Sequence, residues 1–111
     1  MAKGAIPSEI KEEVKRIIDK FNKEQFDDWI EDLCFFPEFK GNILFLKRKE
    51  FGKISPVVRL TYTGDMRKWE FAIFKWSCMQ YDPDEDFFPG VQYVDGTIIG
   101  AMKAGMEAYP V

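Results

Sequence analysis

Residues 42–78, NILFLKRKEFGKISPVVRLTYTGDMRKWEFAIFKWSC, decide the fold. Three stretches within them, Asn42 to Lys49, Ile54 to Thr63 and Lys68 to Cys78, are rich in β-branched and aromatic residues. Such side chains suit the pleated, half-buried surface of a sheet. Glu50-Phe51-Gly52-Lys53 and Gly64-Asp65-Met66-Arg67 separate the stretches, and both are short enough for hairpins. The reading is a three-stranded antiparallel meander. Pro56 cannot donate to a ladder, so the second strand either starts after it or carries a bulge there.

The turns set a register. Pairing Thr63 with Lys68 places Tyr62 opposite Trp69, Leu60 opposite Phe71 and Val58 opposite Ile73. Pairing Lys49 with Ile54 places Phe45 opposite Val58 and Ile43 opposite Leu60. One face then carries Ile43, Phe45, Val58, Leu60, Tyr62, Trp69, Phe71 and Ile73, and it is expected to pack on helices. The other face carries Leu44, Leu46, Arg48, Val57, Arg59, Thr61, Glu70, Ala72, Phe74 and Trp76. Its polar end has Arg59, Thr61 and Glu70, with Arg59 and Glu70 in diagonal reach. Its apolar end has Leu46, Val57, Phe74 and Trp76. A solvated face is polar throughout. The apolar end therefore needs a cover: the chain's own Phe87-Phe88-Pro89, a second copy, or a different protein. Leu46, Val57, Phe74 and Trp76 are the candidate partner-binding residues.

Helical periodicity flanks the meander. Ile10, Val14, Ile17, Ile18 and Phe21 recur at helical spacing between charged residues, which marks an amphipathic helix. Phe26, Trp29, Ile30 and Leu33 make a second stripe out of phase with the first. Asn22 with Gln25 three residues on fits a capping box, and Phe21 with Phe26 fits its hydrophobic staple. The expectation is two short helices, or one kinked helix, over residues 8–34, stopped by Pro37. Residues 79–94 read as a loop. A last helix is expected from about Thr97 to Ala108, with Pro110 as its stop. Gly100, Ala104 and Ala108 form a strip of small side chains. Gly100 and Gly105 each cost about 1 kcal/mol in a helix, and close packing is the compensation expected for them.

A chain of 111 residues is the size of one domain. Aromatic residues make up 16% of it, which excludes a disordered chain. Histidine is absent, which excludes a Ser-His-Asp triad, a Cys-His dyad and a His-ligated metal. The net charge is −3, without the basic surplus usual in nucleic-acid binders. Cys34 and Cys78 are too few for a disulfide scaffold or a four-cysteine zinc site, and they read as buried thiols. Met1 to Ile6 has no apolar signal-peptide region, and no stretch approaches the ~20 apolar residues of a membrane span. The expected location is cytoplasmic.

Two charged clusters invite chemistry. Asp82-x-Asp84-x-Asp86 matches the first ligand positions of an EF-hand loop, but Phe87 stands where glycine is required and Tyr93 where glutamate is required. That reading fails, leaving a solvated acidic turn or a weak cation site. Lys47, Arg48, Lys49 and Lys53 cluster at the first hairpin. They are candidate contacts for an anionic ligand, against the plainer reading of an edge charged to prevent aggregation.

The expected order, helix, three-stranded meander, helix, resembles the topology of the double-stranded-RNA-binding domain. In that family a basic cluster opens the last helix. Here the region reads Asp95-Gly96-Thr97-Ile98-Ile99-Gly100, with Lys103 the sole base in the helix. No RNA-contacting residue carries over.

The expectation is one α+β domain over residues 1–111, with the C-terminal helix on the same sheet face as the N-terminal helical segment. Its leading function is a small, non-catalytic interaction or regulatory module with a protein partner or a second copy on the apolar end. A small-ligand domain with a pocket between the sheet and the acidic loop comes second, and nucleic-acid binding third. No catalytic residue, cofactor, metal or membrane contact is expected.

Overall fold

The computed structural model describes residues 5–27, 32–76, 79–82 and 90–109. They form an α+β structure: helix α1 (Ser8–Phe26), strands β1 (Leu33–Lys40), β2 (Ile43–Glu50), β3 (Lys53–Thr61), β4 (Glu70–Lys75) and β5 (Gln80–Asp82), and helix α2 (Ile98–Ala108). The strands make one antiparallel sheet in the order β1-β2-β3-β4-β5. The meander thus has five strands rather than the three expected, and the likeness to the double-stranded-RNA-binding topology does not hold.

α1 is a single helix without the expected break. Val14, Ile18, Asn22 and Phe26 are all buried and lie four residues apart, so Asn22 belongs to the inward stripe. It caps nothing in α1. Its side-chain amide donates to the Phe35 carbonyl at 2.9 Å, and its carbonyl accepts from the Phe35 N–H at 2.8 Å. Phe35 sits on edge strand β1, and its backbone groups would otherwise be buried unpaired. One side chain thus takes the place of a neighbouring strand. Residues 33–34, expected at the helix end, open β1 instead, and Trp29 and Ile30 lie outside the described residues.

Pro37 fits a helix stop in the sequence pattern and so hides β1. Pro37 lies within β1 opposite Leu46. It shares parity with Phe35, whose N–H faces away from β2 towards Asn22, so the missing proline N–H removes no ladder bond at this edge. Leu33 and Phe35 are buried and Phe39 packs on the core, so β1 alternates as an edge strand should.

The register explains the sheet's two faces. β3 and β4 pair as expected, Val58 with Ile73 and Leu60 with Phe71. β2 and β3 also start as expected, with Lys49 opposite Ile54 around the Phe51-Gly52 turn. Between Leu46 and Lys47 the register shifts, because Lys47 pairs with Pro56 and Leu46 with Val58. Val57 is the extra, bulged residue. A one-residue shift turns every later side chain of β2 over. Leu44 and Leu46 therefore face the helices and are fully buried, while Ile43 and Phe45 lie on the open face.

The core gathers Val14, Ile18 and Phe21 of α1, Leu44, Leu46, Val58, Leu60 and Ile73 of the sheet, and Ile98, Ala101 and Met102 of α2. Both helices cover the same face. Thr97 caps α2, its hydroxyl accepting from the Gly100 N–H at 3.0 Å. The expected close approach of α2 is found at the bulge: a Cβ on Gly105 would lie 2.6 Å from Val57 Cγ1. Among the described residues, no helix is long and apolar enough to cross a membrane.

Candidate functional site

The open sheet face is the candidate site, and register places its residues in rows across the strands. Glu38, Phe45, Arg59 and Ala72 form one row. Phe36, Lys47 and Pro56 lie in the next, with Phe74 opposite Tyr81 beyond. The rings make a continuous run. Phe45 and Tyr81 centroids are 5.6 Å apart, Tyr81 and Phe74 are 5.1 Å apart, and Phe74 and Trp76 are 5.0 Å apart. The last two pairs meet edge to face, at 72° and 82°, which suits the ring quadrupoles. Phe74 is buried, Phe45 and Tyr81 are half-buried, and Trp76 is 48% exposed.

A groove of about 320 Å³ opens on this face, lined by Glu38, Phe45, Lys47, Ile54, Pro56 and Tyr81. Ile54 at its end is 63% exposed. Lys47 and Glu38 pair across the groove wall, so both charges are compensated. Arg59 is different. Its guanidinium carbon stands 5.5 Å from the Tyr81 ring centroid, a cation–π arrangement. Among the described residues it has neither an ion pair nor a hydrogen bond, and the expected diagonal pair with Glu70 does not form. Burial pushes the Tyr81 phenol above its usual value of 10, with Arg59 opposing and Glu38 reinforcing the shift.

The structure divides the expected partner surface. Phe74 and Trp76 are adjacent, with Trp76 at the sheet's margin, where it also lines a cleft with Arg48, Ala108 and Tyr109. Leu46 and Val57 are not with them: both are buried, Leu46 in the core and Val57 beneath Gly105. The cause is the bulge, which turns β2 over and swings Val57 towards α2. Phe45, Pro56, Ile54 and Tyr81 take their place. Phe45 had been assigned inward, and Tyr81 lies in a segment read as loop. A bulge at Pro56, one of the two outcomes expected there, was the available signal.

The basic cluster is divided too. Lys47 and Lys49 lie on the open face, whereas Arg48 lies on the helix face and is 3% exposed. Arg48 Nε donates to Glu50 Oε2 at 2.5 Å, its Nη1 meets Met106 Sδ at 3.8 Å, and its guanidinium lies over the Phe35 ring. Lys53 is exposed at the hairpin end. The four bases thus offer no single surface to an anion. The covering segment Phe87-Phe88-Pro89, acidic residues 84–86 and Cys78 lie outside the described residues. Cys34 is a free, half-buried thiol.

A second groove, of about 490 Å³, runs between the helices past Arg16, Ile17, Lys20, Phe21, Ile99 and Lys103. Arg16 pairs there with Glu13, one turn away. Comparison with protein families, curated proteins and solved structures finds no match to this chain.

Proposed function

We propose that this protein is a small, non-catalytic interaction module that docks a partner on the open face of its sheet. The observation that carries the reading is the unbroken ring run Phe45, Tyr81, Phe74 and Trp76, which crosses the open face from β2 and ends at Trp76 beside the end of α2. Trp76, the run's last ring, and Ile54, across the groove from Phe45 and Tyr81, are exposed apolar surface. Contiguous apolar surface rimmed by charge characterises protein contact sites, and tryptophan and tyrosine are the residues most enriched in their energetic centres. Among the described residues two helices bury the other face and none packs on this one.

The test is affinity capture with the wild-type chain, Trp76→Asp and a Lys15→Asp control on the exposed side of α1. A partner lost with Trp76→Asp, retained with Lys15→Asp and recovered with Trp76→Phe supports the reading, provided all variants keep a cooperative melt. A partner retained equally by all chains refutes it. A small-ligand reading has one observation in its favour, the groove of about 490 Å³ between α1 and α2, which is within the size range of ligand pockets. Native mass spectrometry separates the two: a stoichiometric small adduct favours the ligand.

A further inference from the structure

We infer that the partner segment seated on the open face is acidic and extended, with a carboxylate on Arg59 and a neighbouring apolar side chain in the groove over Phe45, Pro56 and Tyr81. This rests on the reading of that face as a docking surface and adds the chemistry of the partner.

The charges of this face point to an anion. Among the described residues, register places Lys40, Lys47, Lys49 and Arg59 on the open face against Glu38 and Glu70, four bases against two acids, a balance of +2. Lys47 is held by Glu38, and on the opposite face Arg48 is held by Glu50. Arg59, in the central row and half-buried, makes no ion pair among the described residues. A guanidinium carries five donors in a planar fork that fits the two oxygens of a carboxylate. Stacking on Tyr81 pre-orders the fork and excludes water from one side. A carboxylate arriving there meets a cation that is already partly desolvated.

The groove supplies the second element. It shares Tyr81 with the Arg59 stack and runs to exposed Ile54. In an extended peptide, residues two apart project to the same side, about 6.8 Å from each other. An acidic residue and an apolar residue spaced by two can therefore reach Arg59 and the groove together. A nucleic-acid strand fits less well. It needs a line of free cations along its phosphates and exposed ring faces for its bases. Here Lys47 is neutralised, Arg48 is buried, and the rings meet each other edge to face.

The experiment selects binders from a displayed library of capped octapeptides, with alternate positions drawn from leucine, phenylalanine, aspartate and asparagine. The expected result is enrichment of aspartate over asparagine two residues from an apolar position. Arg59→Gln should weaken the selected peptides by about tenfold or more, the effect of losing a charged hydrogen-bonded contact, and should erase the preference over asparagine. Tyr81→Ala should weaken acidic and neutral peptides alike. Thermal melts confirm that both variants are folded. Equal enrichment of asparagine, or unchanged binding by Arg59→Gln, overturns the acidic partner and leaves the docking face standing. No enrichment on the wild-type chain, or enriched peptides that bind Tyr81→Ala unchanged, overturns both. Displacement of the peptides by an oligothymidylate at equal concentration overturns the proposal in favour of a nucleic acid.

Discussion

Asn22→Ala should destabilise the fold far more than a substitution in an ordinary helix. Asn22 is 4% exposed and makes two buried hydrogen bonds to one residue of β1, at 2.9 and 2.8 Å. Alanine removes both and leaves the Phe35 N–H and carbonyl without partners. Each buried orphan costs about 1–3 kcal/mol. Alanine returns up to about 0.7 kcal/mol through its better helix propensity. Two such orphans less that return leave a net loss of about 1.3–5.3 kcal/mol, a large share of the roughly 5–15 kcal/mol that holds a domain together. For 111 residues the unfolding entropy is about 0.23 kcal/mol/K, so Tm should fall by about 6–23 °C. Urea unfolding gives the free energy, and amide exchange locates it, with Phe35 losing more protection than residues of β3. Asn22→Asp keeps the acceptor but sets a buried carboxylate oxygen against the Phe35 carbonyl, and at neutral pH it should destabilise at least as much as alanine. A change within 0.5 kcal/mol for Asn22→Ala would refute the role assigned to this side chain.

Gly105→Ala places a methyl 2.6 Å from Val57 Cγ1 and should cost about 1–3 kcal/mol by overpacking, despite alanine being the better helix former. In a Val57→Ala background the same substitution should cost less, as a double-mutant cycle in urea can show. Asp95 accepts from the Thr97 hydroxyl at 2.6 Å and from its N–H at 3.0 Å, and these bonds hold its carboxyl below the ordinary 3.8. A lowered folded-state pKa gives stability that is present above 3.8 and lost as pH falls through the lowered value. In Thr97→Val, an NMR titration should show the Asp95 midpoint moving up towards 3.8, with less acid-dependent loss of stability below it.

Much of the fold was legible because it is local. Period-two and helical patterns marked β2, β3, β4 and α2, and the turn residues fixed the β3–β4 register. The misread positions were those whose meaning depends on a distant neighbour. Asn22 resembles a helix cap until Phe35 is placed against it. Pro37 resembles a helix stop until β1 is seen to be an edge strand that needs no N–H there. β5 has only three residues, too few to show a period.

The candidate site shows the same division. The sequence alone determined the class of elements and the adjacency of Phe74 and Trp76. It also showed that Pro56 must disturb β3. Only the tertiary structure decided that the disturbance is a bulge at Val57. That bulge, pressed beneath Gly105 of α2, turns β2 over. Leu46 and Arg48 are thereby carried inward, and Phe45 is brought out to Arg59 and Tyr81. Side-chain alternation has a period of two, so one extra residue in one strand reassigns every residue beyond it. Whether the extra residue is accommodated depends on the helix packed above it, which no local pattern records.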